Sequence, residues 1–271
     1  MNVQFAPMRA RVVSATPCDL FFAELADSHD RVLLLDYDGT LAPFTADRQR
    51  ALPYAGVPQL LRSIMSSCAT RVVLISGRSA AQVAELLGLH PVPEIWGSHG
   101  VEHLHPDGCY FVAEVGAEAR HAFAASVAHF ADEGVISRVE QKAGAVALHW
   151  RGLNPTEVER VKATGYRVFL PFVGRDLVLT EFDGGLELRL RGRTKGDVVR
   201  AILAEHRHDA VVSYLGDDST DEDAFRALNG RGFTVLVRPT YRFTAAQSWI
   251  QPPGELVHFL TNWIRACGGA I

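Results

Sequence analysis

The sequence predicts an α/β protein in which a doubly wound parallel sheet carries an inserted α+β domain. Three apolar runs without alternation are typical of strands buried on both faces, namely Arg31–Asp36, Arg71–Ser76 and Val211–Leu215. Between residues 108 and 188 apolar residues alternate with polar ones, which is typical of antiparallel strands with one exposed face. The parallel pattern then returns, so we expect both ends of the chain to build one sheet.

The first half of the predicted core alternates strands with helices. A helix is expected near Pro58–Met65, between the strands at 31–36 and 71–76. Ser79 is suited to cap the next helix, and Gly88 is suited to end it. The order strand, helix, strand, helix predicts the right-handed crossovers of a parallel sheet.

The insert is predicted to place antiparallel strands between two helices. Its expected elements, in chain order, are a strand at Cys109–Glu114, a helix with Phe123, Val127 and Phe130 on one face, a half-exposed strand at 145–151, a helix capped by Asn154, and a hairpin that turns at Asp183–Gly185. The far strand of that hairpin places Leu186 and Leu188 on one face and Glu187 on the other.

The chain after the insert is expected to complete the core. Thr194 is suited to cap a helix that continues through Ile202, and a further strand is predicted at Phe233–Val237. A final helix carries one apolar stripe, formed by Leu256, Leu260, Trp263 and Ile264. We therefore divide the chain into a core of residues 1–107 and 190–271 and an insert of residues 108–189.

Composition and charge restrict the classes of partner. The 271 residues contain 27 Lys and Arg against 31 Asp and Glu, so no broad cationic field favours nucleic acid or an anionic membrane. No apolar run approaches the roughly 18 residues of a membrane span, and Met1–Val13 lacks the apolar core of a signal peptide. Four widely separated cysteines indicate reduced thiols. We expect a cytoplasmic protein without nucleic-acid or membrane partners.

Polar clusters follow three of the predicted strands, at Asp36–Thr40, Ser76–Arg78 and Gly216–Asp223. Each has a structural explanation of its own, because the first suits a turn, the second a helix cap and the third a capping box. Ligands of open α/β sheets bind at the carboxyl ends of the strands, however, and all three clusters are expected there.

Three carboxylates, those of Asp36, Asp38 and Asp217, are expected to converge at that edge of the sheet. Neighbouring carboxylates repel each other unless a cation lies between them. Oxygen ligands of this kind suit Mg²⁺. Asp36 and Asp38 are two residues apart and project to the same side of an extended backbone, so one can attack a substrate while the other transfers protons.

The same clusters carry a resemblance to a known superfamily. Asp36–Thr40 resembles the DxDGT motif of the haloacid dehalogenase (HAD) superfamily of phosphatases, and Ser76, Lys195 and Gly216–Asp221 resemble its second, third and fourth motifs in order. This resemblance implies a Rossmann-like, HAD-like core. The insert between the second and third motifs resembles a cap domain of the C2 type.

Within that superfamily the chain more closely resembles the trehalose-6-phosphate phosphatase family. The similar segments are Leu35–Phe44, Ile75–Arg78, Gly97–Glu102 and Gly216–Phe225, and in the insert Glu140–Lys142, the run that ends at Arg151, and Glu187. The chain departs from the family at Ser98, where Asn is usual, at Gln141, where Asp is usual, and before Lys195, where a proline is often found. We expect these departures to affect substrate fit more than the core reaction.

The resemblance implies a role for each residue of the core clusters. Asp36 is the expected nucleophile, Asp38 the expected acid and base, and Ser76 and Lys195 the expected contacts of the phosphoryl group. Mg²⁺ is expected to bind Asp36, the backbone carbonyl of Asp38, and Asp217. The supporting positions are Gly77, Arg78, Asp218 as an outer metal ligand, and Asp221 as the residue that orients Lys195.

The insert is expected to recognise a sugar through Glu140, Lys142, Arg151 and Glu187. Glu140 and Lys142 are two residues apart on a predicted strand and therefore share a face. Charged side chains form stronger hydrogen bonds than neutral ones and suit sugar hydroxyls. The residues alone favour an ordinary solvated sheet face, whereas the family resemblance favours sugar contact.

The activity implied is Mg²⁺-dependent hydrolysis of trehalose 6-phosphate to trehalose and phosphate through an aspartyl-phosphate. Another sugar phosphate, such as that of sucrose, glucosylglycerol or mannosylglycerate, is an alternative substrate, and a mutase or a non-catalytic binding module is an alternative function. A dinucleotide-dependent oxidoreductase is disfavoured, since no GxGxxG follows the first strand. The partners implied are a small-molecule sugar phosphate and, through metabolism, a separate trehalose-6-phosphate synthase.

Overall fold

The computed structural model describes residues 16–45, 48–182 and 184–269. Met1–Val13 and Asp183, which entered the predictions on the N-terminus and the hairpin turn, lie outside these residues. Within the described ranges no helix combines the length and the apolar character that crossing a membrane requires. The described cysteines are free thiols.

The strands and helices alternate through the core and change order in the insert. The strands are β1 Arg31–Leu35, β2 Thr70–Ile75, β3 Glu94–Gly97, β4 Glu102–Leu104, β5 Tyr110–Val112, β6 Val139–Lys142, β7 Ala145–His149, β8 Leu177–Phe182, β9 Gly185–Leu190, β10 Val211–Gly216, β11 Phe233–Val237 and β12 Ser248–Ile250. The helices are α1 Pro17–Asp27, α2 Val57–Ser67, α3 Ala80–Leu87, α4 Ala117–Asp132, α5 Pro155–Phe169, α6 Lys195–Glu205, α7 Glu222–Leu228 and α8 Gly254–Ala266.

The strands form two sheets, and the predicted fold class is confirmed. The larger sheet has the order β12-β11-β10-β1-β2-β3-β4-β5, in which the strands from β12 to β3 are parallel and the last two are antiparallel. The smaller sheet, β6-β7-β9-β8, is antiparallel throughout. Helices cover both faces of the larger sheet, so its central strands are buried as their unbroken apolar runs predict.

Sheet register places the three polar clusters at one edge. Leu35, the last residue of β1, lies opposite Leu215 of β10 and Leu74 of β2. The residues that follow these three strands therefore begin at the same level, which is where the sequence predicts a ligand site.

Local signals set most helix ends as the sequence predicts. The Ser79 hydroxyl accepts a hydrogen bond from the Gln82 amide at the start of α3, and Gly88 ends that helix with φ 61°. Asn154 and Thr194 both form capping boxes, at the starts of α5 and α6. Helix α1 was missed, although Thr16, Pro17 and Asp19 provide the signature of a capping box.

Two expectations for the insert are wrong. The strand expected at 109–114 is β5, and it pairs with β4 in the larger sheet rather than with the strands of the insert. The strand expected to be half-exposed is β7, and its second face is also covered, so Ala147 is fully buried. Alternation shows which residues share a face, but it does not show whether another part of the chain packs on that face. The division into core and insert stays a prediction.

A buried carboxylate connects α3 to the larger sheet. Glu102 of β4 is 2% exposed and accepts hydrogen bonds from three donors. These are the Ala80 amide at the start of α3 at 2.8 Å, the Ser98 hydroxyl at 2.6 Å and the Tyr110 hydroxyl at 2.8 Å. The carboxylate accepts a hydrogen bond from an amide that the start of a helix leaves without a partner. Its negative charge also interacts favourably with the positive end of the helix dipole.

We expect Glu102→Ala to lower the free energy of unfolding by roughly 3 kcal/mol, because three buried donors lose a charged acceptor. Urea unfolding followed by circular dichroism measures this change. Glu85→Ala removes an exposed carboxylate of α3 and is the matched control, expected within roughly 0.5 kcal/mol of the wild type. Equal effects of the two substitutions would contradict the role of Glu102.

Candidate active site

The carboxyl ends of β1 and β10 bring a lysine between two aspartates. Lys195, the first residue of α6, is 3% exposed and lies 2.6 Å from Asp36 Oδ1 and 2.8 Å from Asp221 Oδ1. Asp221 also accepts a hydrogen bond from the Tyr214 hydroxyl at 2.5 Å. Burial raises the pKa of Asp36 to about 7, even though Lys195 opposes that rise. The contact predicted between Asp221 and Lys195 is therefore present in the structure.

Asp217 carries the strongest sign of a cation site. Its side chain is buried, and neither carboxylate oxygen has a hydrogen-bond partner among the described residues. Oxygens of Asp36, Asp217 and Asp221 all lie within 4.8 Å of one another. Burial, together with the charges of Asp36 and Asp221, raises the pKa of Asp217 well above its ordinary value. An oxygen-ligating cation such as Mg²⁺ would satisfy these carboxylates, so the residues fit the metal that the sequence predicts.

Gly39 makes room for the Asp217 carboxylate. The residue has φ +83°, and a Cβ placed on it would lie 2.2 Å from Asp217 Oδ2. Only glycine adopts this conformation at low cost and leaves the space. The glycine of the Asp36–Thr40 cluster therefore serves the site as well as the turn.

Asp38 forms a two-point ion pair with Arg78. Its two carboxylate oxygens accept hydrogen bonds from Arg78 Nε and Nη2, both at 2.6 Å. Arg78 is 3% exposed, and its amide donates to the Ser76 hydroxyl oxygen at 3.1 Å. The two hydrogen bonds of this ion pair fix the position of the Asp38 carboxylate.

His99 is a site residue that the list of candidates omitted. Its ring lies over Gly77, where a Cβ would meet His99 Nε2 at 2.8 Å, and the same nitrogen lies 3.2 Å from Glu187 Oε2. Ser98 and His99 have φ values of 48° and 56°, a conformation that side chains other than glycine adopt at a cost. Burial lowers the pKa of His99, while Glu187 opposes that change. The similarity of Gly97–Glu102 to the family was the signal that could have identified it.

The insert covers the site with a charged sheet face. Lys142 Nζ lies 2.7 Å from Glu187 Oε1 and 3.9 Å from Glu140 Oε2, and Glu140 in turn contacts His149 at 2.9 Å. The side chains of Lys142 and Glu187 are only 6% and 4% exposed. The solvated sheet face that the residues alone favoured is therefore ruled out. Burial acts to raise the pKa of Glu187, but Lys142 and His99 outweigh it and hold this pKa well below its ordinary value.

One cavity lies between the core and this sheet face. Its lining contains Asp36, Asp38, Phe44, Ser76, Gly77, Arg78, His99, Lys195, Asp217, Asp218 and Thr220 from the core, and Lys142, His149, Arg151, Thr180, Phe182 and Glu187 from the insert. Arg151 lies over the ring of Phe44, with its guanidinium carbon 4.9 Å from the ring centroid. Glu140 lies in the neighbouring groove and Asp221 below the floor, so these two candidates do not line the cavity.

Two of the departures from the family pattern lie outside this cavity. The Ser98 hydroxyl donates to Glu102 at 2.6 Å, and Gln141 is exposed. Neither residue lines the cavity. An effect of these two departures on substrate fit would therefore be indirect, and the expectation itself stays a prediction.

Comparison with known proteins agrees with the motifs. Residues 34–247 match the trehalose-phosphatase family. The trehalose-phosphate phosphatase of Mycobacterium ulcerans (strain Agy99) is 33% identical over 242 residues, which cover 84% of this chain and 60% of that protein. Probable trehalose-phosphate phosphatase C of Arabidopsis thaliana is 29% identical over 274 residues, which cover 91% of this chain and 81% of that protein. The chain spans between 60% and 67% of the length of the mycobacterial relatives.

Solved structures share the fold. The C-terminal domain of trehalose-6-phosphate phosphatase from C. albicans superposes with a TM-score of 0.75 at 22% identity, covering 94% of this chain and 97% of that one. The C-terminal domain of the Candida albicans trehalose synthase regulatory protein gives a TM-score of 0.70 at 15% identity, with 93% and 99% coverage. With the family match over most of its length, this chain belongs to the trehalose-phosphatase family, within the HAD fold.

Proposed function

We propose that this protein is a Mg²⁺-dependent phosphatase that hydrolyses trehalose 6-phosphate to trehalose and phosphate. The observation that carries the proposal is the buried Asp217 carboxylate, which has no hydrogen-bond partner among the described residues and lies beside Asp36. Lys195 adds the positive charge that a phosphate group needs in an acidic cleft. The family and the names of the relatives support the choice of substrate.

The metal ion is assigned to Asp36 and Asp217, together with the backbone carbonyl of Asp38. When bound, Mg²⁺ would offset the negative charge that the phosphate dianion and the two carboxylates bring together. Asp221 is nearby, but its two oxygens already accept hydrogen bonds from Lys195, Tyr214 and the amides of Asp217 and Asp218. We therefore assign Asp221 to the support of Lys195 and of the loop.

Asp36 is the proposed nucleophile. One of its oxygens forms a bond to phosphorus while the bond between phosphorus and the sugar oxygen breaks, which yields an aspartyl-phosphate. The sugar oxygen leaves as a hydroxyl after it takes a proton from Asp38. Asp38 then accepts a proton from a water molecule that attacks phosphorus, and phosphate leaves as the Asp36 carboxylate is restored. Ser76 and Lys195 hold the remaining phosphoryl oxygens through a hydroxyl and a charge.

The ion pair between Asp38 and Arg78 adds a step to this scheme. A guanidinium that contacts both oxygens of Asp38 occupies the atoms that would carry the proton. We infer that Asp38 turns away from Arg78 and takes a proton from solvent water before it donates that proton to the sugar oxygen. After phosphate has left, Asp38 releases the proton that it took from the attacking water to solvent and pairs with Arg78 again.

The insert is the proposed cap that selects the sugar. Lys142 and Glu187 face the phosphate-binding residues across the cavity, and Arg151 lies at the same side. Glu140 supports this face through Lys142 and His149. Paired charges that are already buried lose little further hydration when sugar hydroxyls bind them, which favours a neutral, hydroxyl-rich ligand. We place the cap within residues 108–189 but after β5, which pairs with the core sheet.

A cytoplasmic location is part of the same proposal, as is functional coupling to a separate trehalose-6-phosphate synthase. The synthase would make the substrate that this cavity fits. Neither statement requires physical contact between the two proteins.

The direct test is phosphate release from a panel of sugar phosphates in the presence of Mg²⁺. We expect trehalose 6-phosphate to be hydrolysed with a higher kcat/KM than the phosphates of sucrose, glucosylglycerol and mannosylglycerate.

Excess chelator should stop the reaction and added Mg²⁺ should restore it. Asp36→Asn should reduce kcat at least a thousandfold, which is about 4 kcal/mol of transition-state free energy, whereas Asp223→Asn at an exposed site should not. Full activity in chelator, or in Asp36→Asn, would reject the mechanism.

The role of the cap is tested by Lys142→Met with two substrates. Loss of one charged hydrogen bond to the sugar should lower kcat/KM for trehalose 6-phosphate roughly 10- to 150-fold. An aryl phosphate has no second sugar to bind, so its hydrolysis should change far less. Lys162→Met makes the same substitution at a more exposed ion pair of the insert and is the matched control. If Lys142→Met harms both substrates equally, then the sugar is selected elsewhere.

The low pKa of Glu187 predicts a pH-dependent stability. Its folded pKa lies below the unfolded value of about 4.3, so the ionised group stabilises the fold above that pH and loses this contribution as the pH falls. Glu187→Gln should cost roughly 3 kcal/mol at pH 7, since it removes the nearer of the two carboxylates that contact the buried Lys142 charge. The cost should shrink at pH 3.5 in urea unfolding. Exposed Glu118→Gln is the control, and a cost that does not change with pH would contradict the assignment.

A further inference from the structure

The loop that contains Asp217 and Asp218 is held at four backbone atoms. The amides of Asp217 and Asp218 donate to Asp221 Oδ2 at 3.0 and 2.9 Å. The Asp217 carbonyl accepts from Arg242 Nε at 3.2 Å and from Arg238 Nη1 at 3.3 Å, and the Asp218 carbonyl accepts from Arg242 Nη2 at 2.7 Å. One guanidinium therefore contacts two consecutive carbonyls of this loop.

Arg242 is itself held in place by Glu222, the first residue of α7. Arg242 Nη1 lies 2.5 Å from Glu222 Oε1, and the two side chains are 25% and 13% exposed. Glu222 also accepts hydrogen bonds from the Thr244 hydroxyl and the Ala245 amide, each at 2.8 Å. The segment that follows β11 is thus attached to α7, with its arginine directed at the loop.

The Asp217 carboxylate takes its position from its own backbone. With no hydrogen-bond partner for its carboxylate among the residues that the structure describes, its position depends on the backbone that carries it. The amide side of that backbone is set by Asp221, and the carbonyl side is set mainly by Arg242.

We propose that Arg242, supported by Glu222, is a positioning residue that sets the Asp217 carboxylate for the divalent cation. This inference rests on the metal site of the proposed function. Arg242 does not contact the cation in this proposal; it acts through the two carbonyls, in the way that outer partners orient the ligands of a metal. Lysine cannot replace it, because one ammonium group does not offer the planar fork that reaches both carbonyls and Glu222.

The simpler role for Arg242 is to attach the segment after β11 to α7. That role predicts that substitution lowers the stability of the metal-free protein and leaves its affinity for the cation unchanged. The positioning role predicts the opposite pattern. The loss in the free energy of cation binding should exceed any loss in the free energy of unfolding of the metal-free protein.

The experiment is calorimetric titration of the metal-free, full-length protein with MgCl₂ alone, alongside urea unfolding without metal. We expect Arg242→Lys and Arg242→Ala to raise the Kd for Mg²⁺ 10- to 100-fold. Glu222→Gln should raise it less, since the arginine keeps both carbonyl contacts. Arg226→Lys is the control, because Arg226 forms an ion pair with Asp223 on the same helix, where the two side chains are 64% and 46% exposed. The Kd of this variant should equal that of the wild type.

Arg242→Lys keeps the positive charge. If Arg242→Ala fails to fold, Arg242→Lys is the variant that decides the test. A wild-type Kd in a folded Arg242→Lys protein would overturn the inference, as would wild-type protein that binds no Mg²⁺. If the wild type binds Mg²⁺ and Arg242→Lys weakens that binding, the inference holds even when trehalose 6-phosphate is not hydrolysed. Failure to hydrolyse trehalose 6-phosphate would reject only the proposed substrate.

Discussion

The structure depends on the balance of charge at the carboxyl ends of β1 and β10. Asp36, Asp217 and Asp221 are buried within a few ångströms of one another, and Lys195 supplies the positive charge that contacts two of them. Buried carboxylates without a compensating charge are costly, which explains why Asp36 and Asp217 have raised pKa values despite the lysine. A divalent cation would offset the two negative charges that these three carboxylates and one lysine leave.

The rest of the fold serves to hold these charges in place. Sheet register brings the ends of β1, β2 and β10 to one level, and α6 begins at Lys195 because Thr194 and Asp197 form its capping box. A lysine at a helix start opposes the helix dipole, but its contacts with two carboxylates compensate for that position. Gly39 then leaves the space that the Asp217 side chain occupies. The local geometry of the backbone and the charge of the site therefore support each other.

The insert adds a second charged layer above the first. Glu187 bonds Lys142 within the insert and lies 3.2 Å from His99 of the core, so one carboxylate connects the two layers. This contact explains why the polar face of the smaller sheet is buried rather than solvated. It also links the sugar-selecting surface that we propose to the loop around Gly77, which lines the same cavity.

Sequence alone was enough for the features that depend on neighbouring residues. The buried strands were identified from their apolar runs, and the caps at Ser79, Asn154 and Thr194 from residue types a few positions apart. The expected convergence of Asp36, Asp38 and Asp217 on one cavity also followed, because parallel strands end at one edge. Family motifs then supplied the expected roles, which geometry alone does not assign.

Tertiary structure decided the contacts between residues that are far apart in the chain. Arg78 pairs with Asp38 across 40 positions, Lys142 pairs with Glu187 across 45, and Arg242 reaches the carbonyl of Asp218 across 24. Periodicity shows which side of a strand or helix a residue occupies, but not which other element packs against that side. The sequence by itself therefore determined the buried strands, most helix ends and the edge where the site lies. The partner of each charge was decided only by folding, since ion pairs depend on distances of a few ångströms that no local pattern encodes.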